Sequence, residues 1–182
     1  VANSAYKSNL KTALNVSDDT SVQSLIDGAF DSLAQNYGRK RKGQKFASVL
    51  QTFYTMTKPT RNLVVSQNAI VASNQNSTAP RFRSFGQVTL FAANAQAYYN
   101  NDSKRYEIQV QMIAESPGSI GNVPAGDLNT VTSGASGLST INDVASNFGS
   151  DRQNNLDLSE DCLNALSSLD TGTSGGYERI AN

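Results

Sequence analysis

The hydrophobic period of the chain changes twice, and this change limits the fold more than any other feature. Between residues 46 and 113, apolar residues recur at every second position, which is the pattern of half-buried β-strands. Ile108, Val110 and Met112, for example, alternate with Glu and Gln. No helical pattern separates these runs, so the sequence predicts an antiparallel module rather than a βαβ array. The predicted strands are residues 46–56, 62–65, 69–72, 85–91, 106–113 and the shorter run 128–131.

Helical spacing occurs on both sides of this module. Residues 19–38 carry a one-sided apolar stripe, and Gly38 stands where a left-handed residue ends a helix. A weaker helical pattern covers residues 6–14, and a third covers residues 158–169 and is broken by the glycine-rich residues 171–176. We therefore predict an α+β fold, with a central antiparallel β module flanked by N-terminal and C-terminal helices. The predicted segments are 1–45 (helical), 46–132 (β module) and 133–182 (a loop to residue 143, then a helical segment).

The apolar stripe of the first long helix is a candidate protein interface. The stripe is long enough to bury several large side chains, and the β module can cover only part of it. We expect the remainder to pack against another subunit, because obligate assembly interfaces are large and apolar. The chain lacks an initiator Met, and residues 177–182 resemble the first turns of a helix, so we expect a segment of a longer polypeptide. The interface candidates are Val22, Leu25, Ile26, Phe30 and Leu33.

Composition argues against several kinds of function. Fifteen basic and fifteen acidic side chains cancel, so no net charge draws the chain to nucleic acid or to an anionic membrane. The chain has no His, the commonest general base and metal ligand, and its single Cys, Cys162, permits no internal disulfide. No apolar run approaches the roughly 18 residues of a membrane span. We therefore predict no catalytic residue, no cofactor, no metal, and neither a nucleic-acid nor a membrane partner.

Two local motifs suggest chemistry but also have structural explanations. Residues 39–45 hold five positive charges in seven positions, which we interpret as a solvated helix-to-strand connection whose cations complement the helix dipole. A contact with an acidic partner protein is the alternative. Residues 170–174, Asp-Thr-Gly-Thr-Ser, match the way in which aspartic proteases present a catalytic carboxylate. That chemistry needs two aspartates on strand-supported loops, whereas Asp170 is a single copy and follows a helical pattern.

A glycine- and proline-rich run follows the last long strand. Residues 114–126 contain three glycines and two prolines, which specify a backbone path because Gly reaches positive φ freely and Pro holds φ near −65°. Nothing in the run resembles a nucleophile, a metal-binding cluster or a phosphate loop. We predict that a side chain would be strained at each of its glycines. The predicted structural turn residues are Pro117, Gly118, Gly121, Asn122 and Gly126.

The order Gly118-x-x-Gly121-Asn122-Val123-Pro124-Ala125-Gly126 resembles the signature turn of the baseplate J-like family. The Gly-Asn-Val-x-Ala-Gly portion is the specific part. Further matches follow in the family's order, and they are Ile141-Asn142, Phe148-Gly-Ser-Asp151 and the run from Gly172 to Glu178. The chain departs from the family after Asp151, where members commonly have acidic residues and a long helix and this chain continues Arg-Gln-Asn-Asn.

The resemblance implies a structural function. Members of the family are wedge proteins in the tail baseplates of phages and related contractile injection machines, where they form a ring around the tail hub. For this chain, the resemblance implies that its partners are other copies of itself and other baseplate proteins of the wedge and of the hub or tube. It implies a location in the virion, in the tail baseplate, after assembly in the host cytoplasm. It implies no cofactor and no enzymatic activity.

Two alternatives from other functional classes remain open. The first is a receptor- or carbohydrate-binding β module of a tail fibre, in which Tyr98, Tyr99 and Tyr106 are exposed and contact a sugar. Tyrosines are equally common in protein interfaces, so their presence does not decide between the two readings. The second alternative is a homodimeric aspartic protease that uses Asp170 from each copy.

Overall fold

A computed structural model of the chain describes residues 19–73 and 79–178, together with Ser8 and Thr12, and its description of side chains ends at residue 167. The chain divides into two compact units. The β unit comprises Gln44–Arg152, and the helical unit combines Val1–Gly43 with Gln153–Asn182. The predicted helix over residues 6–14 lies outside the described residues, except that Ser8 and Thr12 have helical backbone conformation.

The described part of the β unit contains nine strands, which form two antiparallel sheets. The strands are β1 (Ser48–Thr55), β2 (Leu63–Val65), β3 (Ile70–Ser73), β4 (Arg81–Ser84), β5 (Val88–Leu90), β6 (Tyr99–Asn100), β7 (Arg105–Ala114), β8 (Leu128–Ser133) and β9 (Ser139–Ile141). The large sheet has the order β8-β3-β4-β7-β1-β9, with β6 also paired to β7, and the small sheet pairs β2 with β5. Helices precede and follow the strands along the chain, so the predicted α+β class is confirmed.

The core of the β unit follows from the register between β1 and β7. β1 pairs with β7 along its whole length, so that Val49 lies opposite Met112 and Phe53 lies opposite Ile108. All four side chains are buried. Because successive residues of a strand point to opposite faces, the period of two in the sequence becomes one buried face, which is apolar except for Gln51 between Val49 and Phe53. Other strands add to this cluster with Val65, Val71, Phe82, Leu90 and Leu128.

Parts of the region between residues 62 and 113 differ from the sequence prediction. The predicted strand 85–91 shortens to β5 and pairs in the small sheet, whereas β4 forms in the large sheet without a sequence signal. Only Phe82 and Ser84 of β4 are buried, and a run of four residues is too short to display a clear period. Residues Ala92–Tyr98 form two 3₁₀ turns, so the expectation that no helical residue interrupts this region is wrong. The alanines of this segment favour helical conformation.

The β unit also extends beyond residue 132. Ser139–Ile141, which lie in the segment predicted as a loop, form β9 and pair with β1. Thr140 is buried, and its hydroxyl donates a hydrogen bond to the carbonyl oxygen of Thr52 at 3.1 Å. Residues 133–152 therefore belong to the β unit and not to the C-terminal helical segment. A strand of three residues is stabilised by its partner strand, so it leaves little local pattern in the sequence.

The described helices of the helical unit are α1 (Asp19–Asn36) and α2 (Asn155–Glu178). The predicted end of α1 is confirmed, because Gly38 has a φ of +67°. The N–H of Gly38 donates to the carbonyl of Gln35 and the N–H of Arg39 donates to that of Ala34, which is the Schellman arrangement. The predicted break in α2 at residues 171–176 is wrong, since the backbone there remains helical. Glycine lowers helix stability by about 1 kcal/mol relative to alanine but, unlike proline, keeps the helical hydrogen bond.

Candidate functional site

The glycine-rich turn that follows β7 has the kind of backbone that the sequence predicts, one in which a residue with a side chain would be strained. Gly118 has a φ of +118° and Gly126 a φ of +86°, values that side-chain-bearing residues rarely adopt. Gly121 has no positive φ, but a Cβ added there would lie 2.7 Å from the Cβ of Ala47, which is closer than real Cβ atoms approach. The prediction that a side chain would be strained at all three glycines is therefore confirmed.

Asn142 belongs to a second segment, distant in sequence, that satisfies backbone groups of the turn. Its side chain is fully buried. Its Oδ1 accepts a hydrogen bond from the N–H of Leu128 at 2.8 Å. Its Nδ2 donates to the carbonyl oxygens of Pro124, at 2.8 Å, and Val144, at 3.0 Å. One asparagine thus pairs three backbone groups, two of which belong to the chain around the turn.

Ser146 and Gly149 continue this pairing along the second segment. The buried Ser146 Oγ accepts a hydrogen bond from the N–H of Val123 at 2.7 Å. The N–H of Gly149 donates to Asn122 Oδ1 at 2.9 Å, and Asn122 Nδ2 donates back to the carbonyl of Gly149 at 2.8 Å. These side-chain bonds add to two backbone hydrogen bonds between the segments, from the N–H of Gly126 to the carbonyl of Asn142 and from the N–H of Ser146 to that of Val123.

Asp151 ends the pairing at the surface. Its carboxylate accepts hydrogen bonds from the hydroxyl of Ser119 and from the Ser119 N–H, the latter at 2.9 Å. These two bonds stabilise the ionised form and hold the pKa of the Asp151 carboxyl below its usual value. We call residues 117–128 together with residues 142–151 the locked turn.

The chemistry of the locked turn is structural. Its buried polar side chains, Asn142 and Ser146, are already bonded to backbone groups, and Asp151 is bonded to Ser119. Among the described residues, no group of His, Cys, Asp and Glu side chains is arranged to hold a metal ion. The arrangement fixes the path of two loops and presents their outer side chains in defined positions.

Three large apolar side chains project from the locked turn into solvent. Ile120 is 62% exposed, Val144 is 57% exposed and Phe148 is 72% exposed. Phe148 also has a φ of +70°, a conformation that costs a bulky residue of the order of 1 kcal/mol or more. The hydrogen bonds of the neighbouring Gly149 hold this conformation in place. Exposed apolar groups on a rigid frame are typical of surfaces that contact another protein.

The basic residues 39–45 are not simply a solvated connection, as the sequence suggested. The Arg41 side chain is only 6% exposed, and its Nε lies 2.6 Å from Asp31 Oδ1 on α1. The same guanidinium donates to the carbonyl of Gln153 and to Asn155 Oδ1, both at 2.7 Å. Arg41 therefore joins α1 to the beginning of α2. The sequence shows only a cluster of cations, and nothing local distinguishes the one that becomes buried.

The five interface candidates of α1 fall into three groups. Val22 is buried, Ile26 and Phe30 are half-buried, and Leu25 and Leu33 are 52% and 56% exposed. The stripe is thus partly covered within the chain and partly open to solvent. Contact of the open part with another subunit remains a prediction.

An apolar groove of about 230 Å³ lies between α1 and α2, and we call it the helical groove. α1 contributes Phe30 and Leu33 to it, and Tyr37, directly after the end of α1, adds a third side chain. α2 contributes Leu163 and Leu166, which like Leu33 are exposed, while the lone Cys162 is half-buried in the same wall. Several leucines face solvent together in this groove, so its apolar surface is incompletely covered by the described residues.

The tyrosines suggested for sugar binding are half-buried rather than exposed. Tyr98 and Tyr106 pack against the core of the β unit, and the ring of Tyr99 lies 5.0 Å from that of Tyr106, centroid to centroid. A shallow, open depression does border Tyr98, Tyr99 and Glu107. The rings of Tyr98 and Tyr106 are therefore partly used for packing. The aromatic surface left for a sugar is smaller than the sequence suggested.

Glu107 in this depression is held by neighbours of its own chain. Its carboxylate accepts hydrogen bonds from Asn100, Ser103 and Arg105, the last through Nε. Burial alone would raise the pKa of the Glu107 carboxyl, but the bonds from Arg105, Asn100 and Ser103 outweigh it and lower the pKa. Glu107 and Asn100 are thus bonded to each other, and Glu107 also to Ser103 and Arg105, so the geometry at this carboxylate does not favour the sugar-binding alternative.

Two further observations concern the remaining alternatives. Asp170 has a helical backbone within α2, which differs from the strand-supported loop that the aspartic protease mechanism uses. Neither of the two described helices combines the length and the apolar character that crossing a membrane demands.

Comparison with known proteins adds no assignment. No protein-family model matches the chain. No curated protein is significantly similar to it. The resemblance to the baseplate J-like family therefore depends on the residues quoted from the sequence alone.

Proposed function

We propose that the chain is a structural subunit of a phage-type tail baseplate, a wedge protein that assembles into a ring around the tail hub through protein–protein interfaces. One observation carries the proposal. Two of the three stretches behind the resemblance, Gly118–Gly126 and residues 141–151, hydrogen-bond to each other in the locked turn. The third, from Gly172 to Glu178, lies in α2 and is not part of this feature. A chance match would not be expected to select residues that cooperate in one structural feature.

The surface of the chain supports a function in assembly. Large apolar side chains are exposed on both units, including Leu33 and Leu163 on the helical unit and Ile120, Phe85 and Phe148 on the β unit. Single exposed apolar residues are normal, but clusters of them mark sites where another protein binds. The partners in this proposal are further copies of the chain and other wedge, hub or tube proteins.

The locked turn suits a subunit that must transmit force. Side-chain bonds from Asn142, Ser146 and Asp151 fix the turn, so that a load applied to its outer side chains is carried to the sheet without local rearrangement. A loop held only by its ends would deform first. In a baseplate, such a turn would serve as a rigid contact between neighbouring subunits.

Electron cryo-microscopy of intact particles provides the test. We expect several copies of the chain, arranged as a ring around the central tube, and particles without baseplates when its gene is deleted. A gene deletion rescued by the unaltered chain is the control. A position at the tips of the fibres, or complete baseplates assembled without the chain, would contradict the proposal.

A further inference from the structure

The small sheet of β2 and β5 has an open edge along β2. Directly after β2, the N–H of Ser66 donates to the carbonyl of Gly134 at 2.8 Å, so it points away from β5. Alternate residues of an antiparallel strand direct their N–H and C=O groups to the same side. Both backbone groups of Val64 therefore also point away from β5, and neither has a hydrogen-bond partner among the described residues. Such an edge is a template for pairing with another chain.

A groove of about 430 Å³ runs along this edge, and we call it the edge groove. Its two walls are β2 and residues 134–136. Ala135 is buried, so the second wall is anchored to the core of the β unit. The hydrogen bond between Ser66 and Gly134 joins the walls at one end. The groove is thus a preformed space into which the N–H and C=O of Val64 project.

Arg61 lies at the other end of the edge groove. A Cβ added at Gly137 would stand 3.5 Å from Leu63 Cδ2 and 4.0 Å from Arg61 Nη2, which places the guanidinium beside that glycine. Arg61 is exposed and forms no ion pair with any residue that the structure describes. Of the described residues that line the groove, it alone carries a charge. The charge therefore favours a carboxylate in the occupant and disfavours an ammonium or a guanidinium.

We propose that the edge groove binds an extended acidic segment of a different subunit, which adds a strand to β2 and places a carboxylate against Arg61. The N–H and C=O of Val64 pair with the backbone of this segment, as in other cases of β-strand addition. From Leu63 to Ser66 the edge is about 10 Å long, which is enough for three or four residues of an extended chain. This inference deepens the proposed function, from which it takes only the expectation that the partner is another assembly protein.

Two synthetic peptides of about eight residues test the inference on the full 182-residue chain. Both carry the same core of alternating valine and threonine, and one has glutamate and the other lysine at each end. We expect the glutamate peptide to bind saturably and the lysine peptide to bind at least about tenfold more weakly. Hydrogen exchange at the Val64 amide, followed by NMR, should slow when the glutamate peptide is bound.

Two variants separate the backbone pairing from the charge. Val64→Pro removes the N–H that faces the groove and leaves the bonds between β2 and β5 in place, and it should weaken binding of the glutamate peptide about tenfold. Arg61→Gln removes only the charge, and it should weaken binding about threefold at low salt and less at high salt. Arg83→Gln is the matched control, because Arg83 is another exposed arginine of the β unit. It should leave binding unchanged.

Circular dichroism of each variant should match that of the unaltered chain. If Val64→Pro unfolds the chain, the Arg61 variant and the exchange of the Val64 amide decide the question. Equal binding of the two peptides, full binding by a folded Val64 variant, or a Val64 amide that stays unprotected in the complex would overturn the inference.

Sedimentation of the chain without peptide covers pairing of β2 with β2 of a second copy. A dimer that dissociates on Val64→Pro would identify a second copy as the occupant and would also overturn the inference. Its failure is distinguishable from failure of the proposed function. A chain located in baseplates whose edge groove ignores the glutamate peptide would refute only the inference, and a chain that binds the peptide but is missing from baseplates would refute only the function.

Discussion

Replacing Asn142 should remove the strongest single link of the locked turn. The side chain is fully buried and pairs the N–H of Leu128 and the carbonyls of Pro124 and Val144. In Asn142→Ala, the N–H of Leu128 stays buried without an acceptor, since Leu128 is itself fully buried. The two carbonyls belong to exposed residues, so water can replace part of what they lose.

The expected loss of stability follows from these three groups. A buried N–H left unpaired costs about 1–3 kcal/mol, and each carbonyl that exchanges a protein donor for water loses about 0.5–1 kcal/mol. We therefore expect Asn142→Ala to lower the free energy of unfolding of the β unit by about 2–5 kcal/mol. That is a large share of the roughly 5–15 kcal/mol that stabilises an ordinary domain.

Asn142→Asp separates hydrogen bonding from packing, because it conserves the shape of the side chain. The aspartate can still accept from Leu128 but cannot donate while ionised, and burial should raise its folded-state pKa. A folded pKa above the unfolded value means that the destabilisation is greatest at neutral pH. It should decrease as pH falls toward the unfolded aspartate pKa of about 3.9.

Urea unfolding followed by circular dichroism measures these changes, and hydrogen exchange at the Leu128 amide locates them. Asn129→Ala is the control, because Asn129 is exposed and its side chain makes only local hydrogen bonds at the surface, one to the carbonyl of Gly126 at 3.3 Å and one from the hydroxyl of Thr130 at 3.1 Å. It should cost no more than about 0.5 kcal/mol. If Asn142→Ala lowers the free energy of unfolding no more than the control does, the hydrogen bonds of Asn142 do not stabilise the locked turn.

Three further predictions concern other parts of the chain. Gly121→Ala should lower the free energy of unfolding of the β unit by about 1–3 kcal/mol in urea unfolding, because its Cβ would overlap that of Ala47. Gly86→Ala is the control, and it should be nearly neutral because its Cβ would meet nothing within 4 Å. Arg41→Lys should destabilise the helical unit by about 2–3 kcal/mol in thermal melts, since one ammonium group cannot reach Asp31, Gln153 and Asn155 together as the guanidinium does. An unchanged melting temperature would contradict this. The pKa of Glu107 is lowered in the folded state, so its contribution to stability is present above the unfolded pKa of about 4.3 and is lost as pH falls through the folded value. Glu107→Gln should therefore flatten the acid limb of a curve of unfolding free energy against pH. Parallel curves for the two proteins would refute the role of this carboxylate.

Local patterns determined the class of the fold. Alternation in residues 106–113 predicts a strand with one buried face, and β7 has that face because the pleat itself has a period of two. Gly38 ends α1 with a positive φ, and Gly118 and Gly126 after β7 also have positive φ, because these conformations depend on the residue itself and its nearest neighbours. The sequence also singled out the turn on which the functional proposal depends.

Tertiary contacts determined the parts that the sequence did not predict. β4 and β9 are strands because β7 and β1 are available to pair with them, and neither run has a period that is recognisable alone. Arg41 differs from the other cations of its segment only because Asp31 and the beginning of α2 come close to it. Asn142 and the turn are connected by hydrogen bonds between residues far apart in sequence, and such bonds depend on the folded arrangement of both segments. Propensity and period act over a few residues, whereas burial and partner choice are properties of the whole fold.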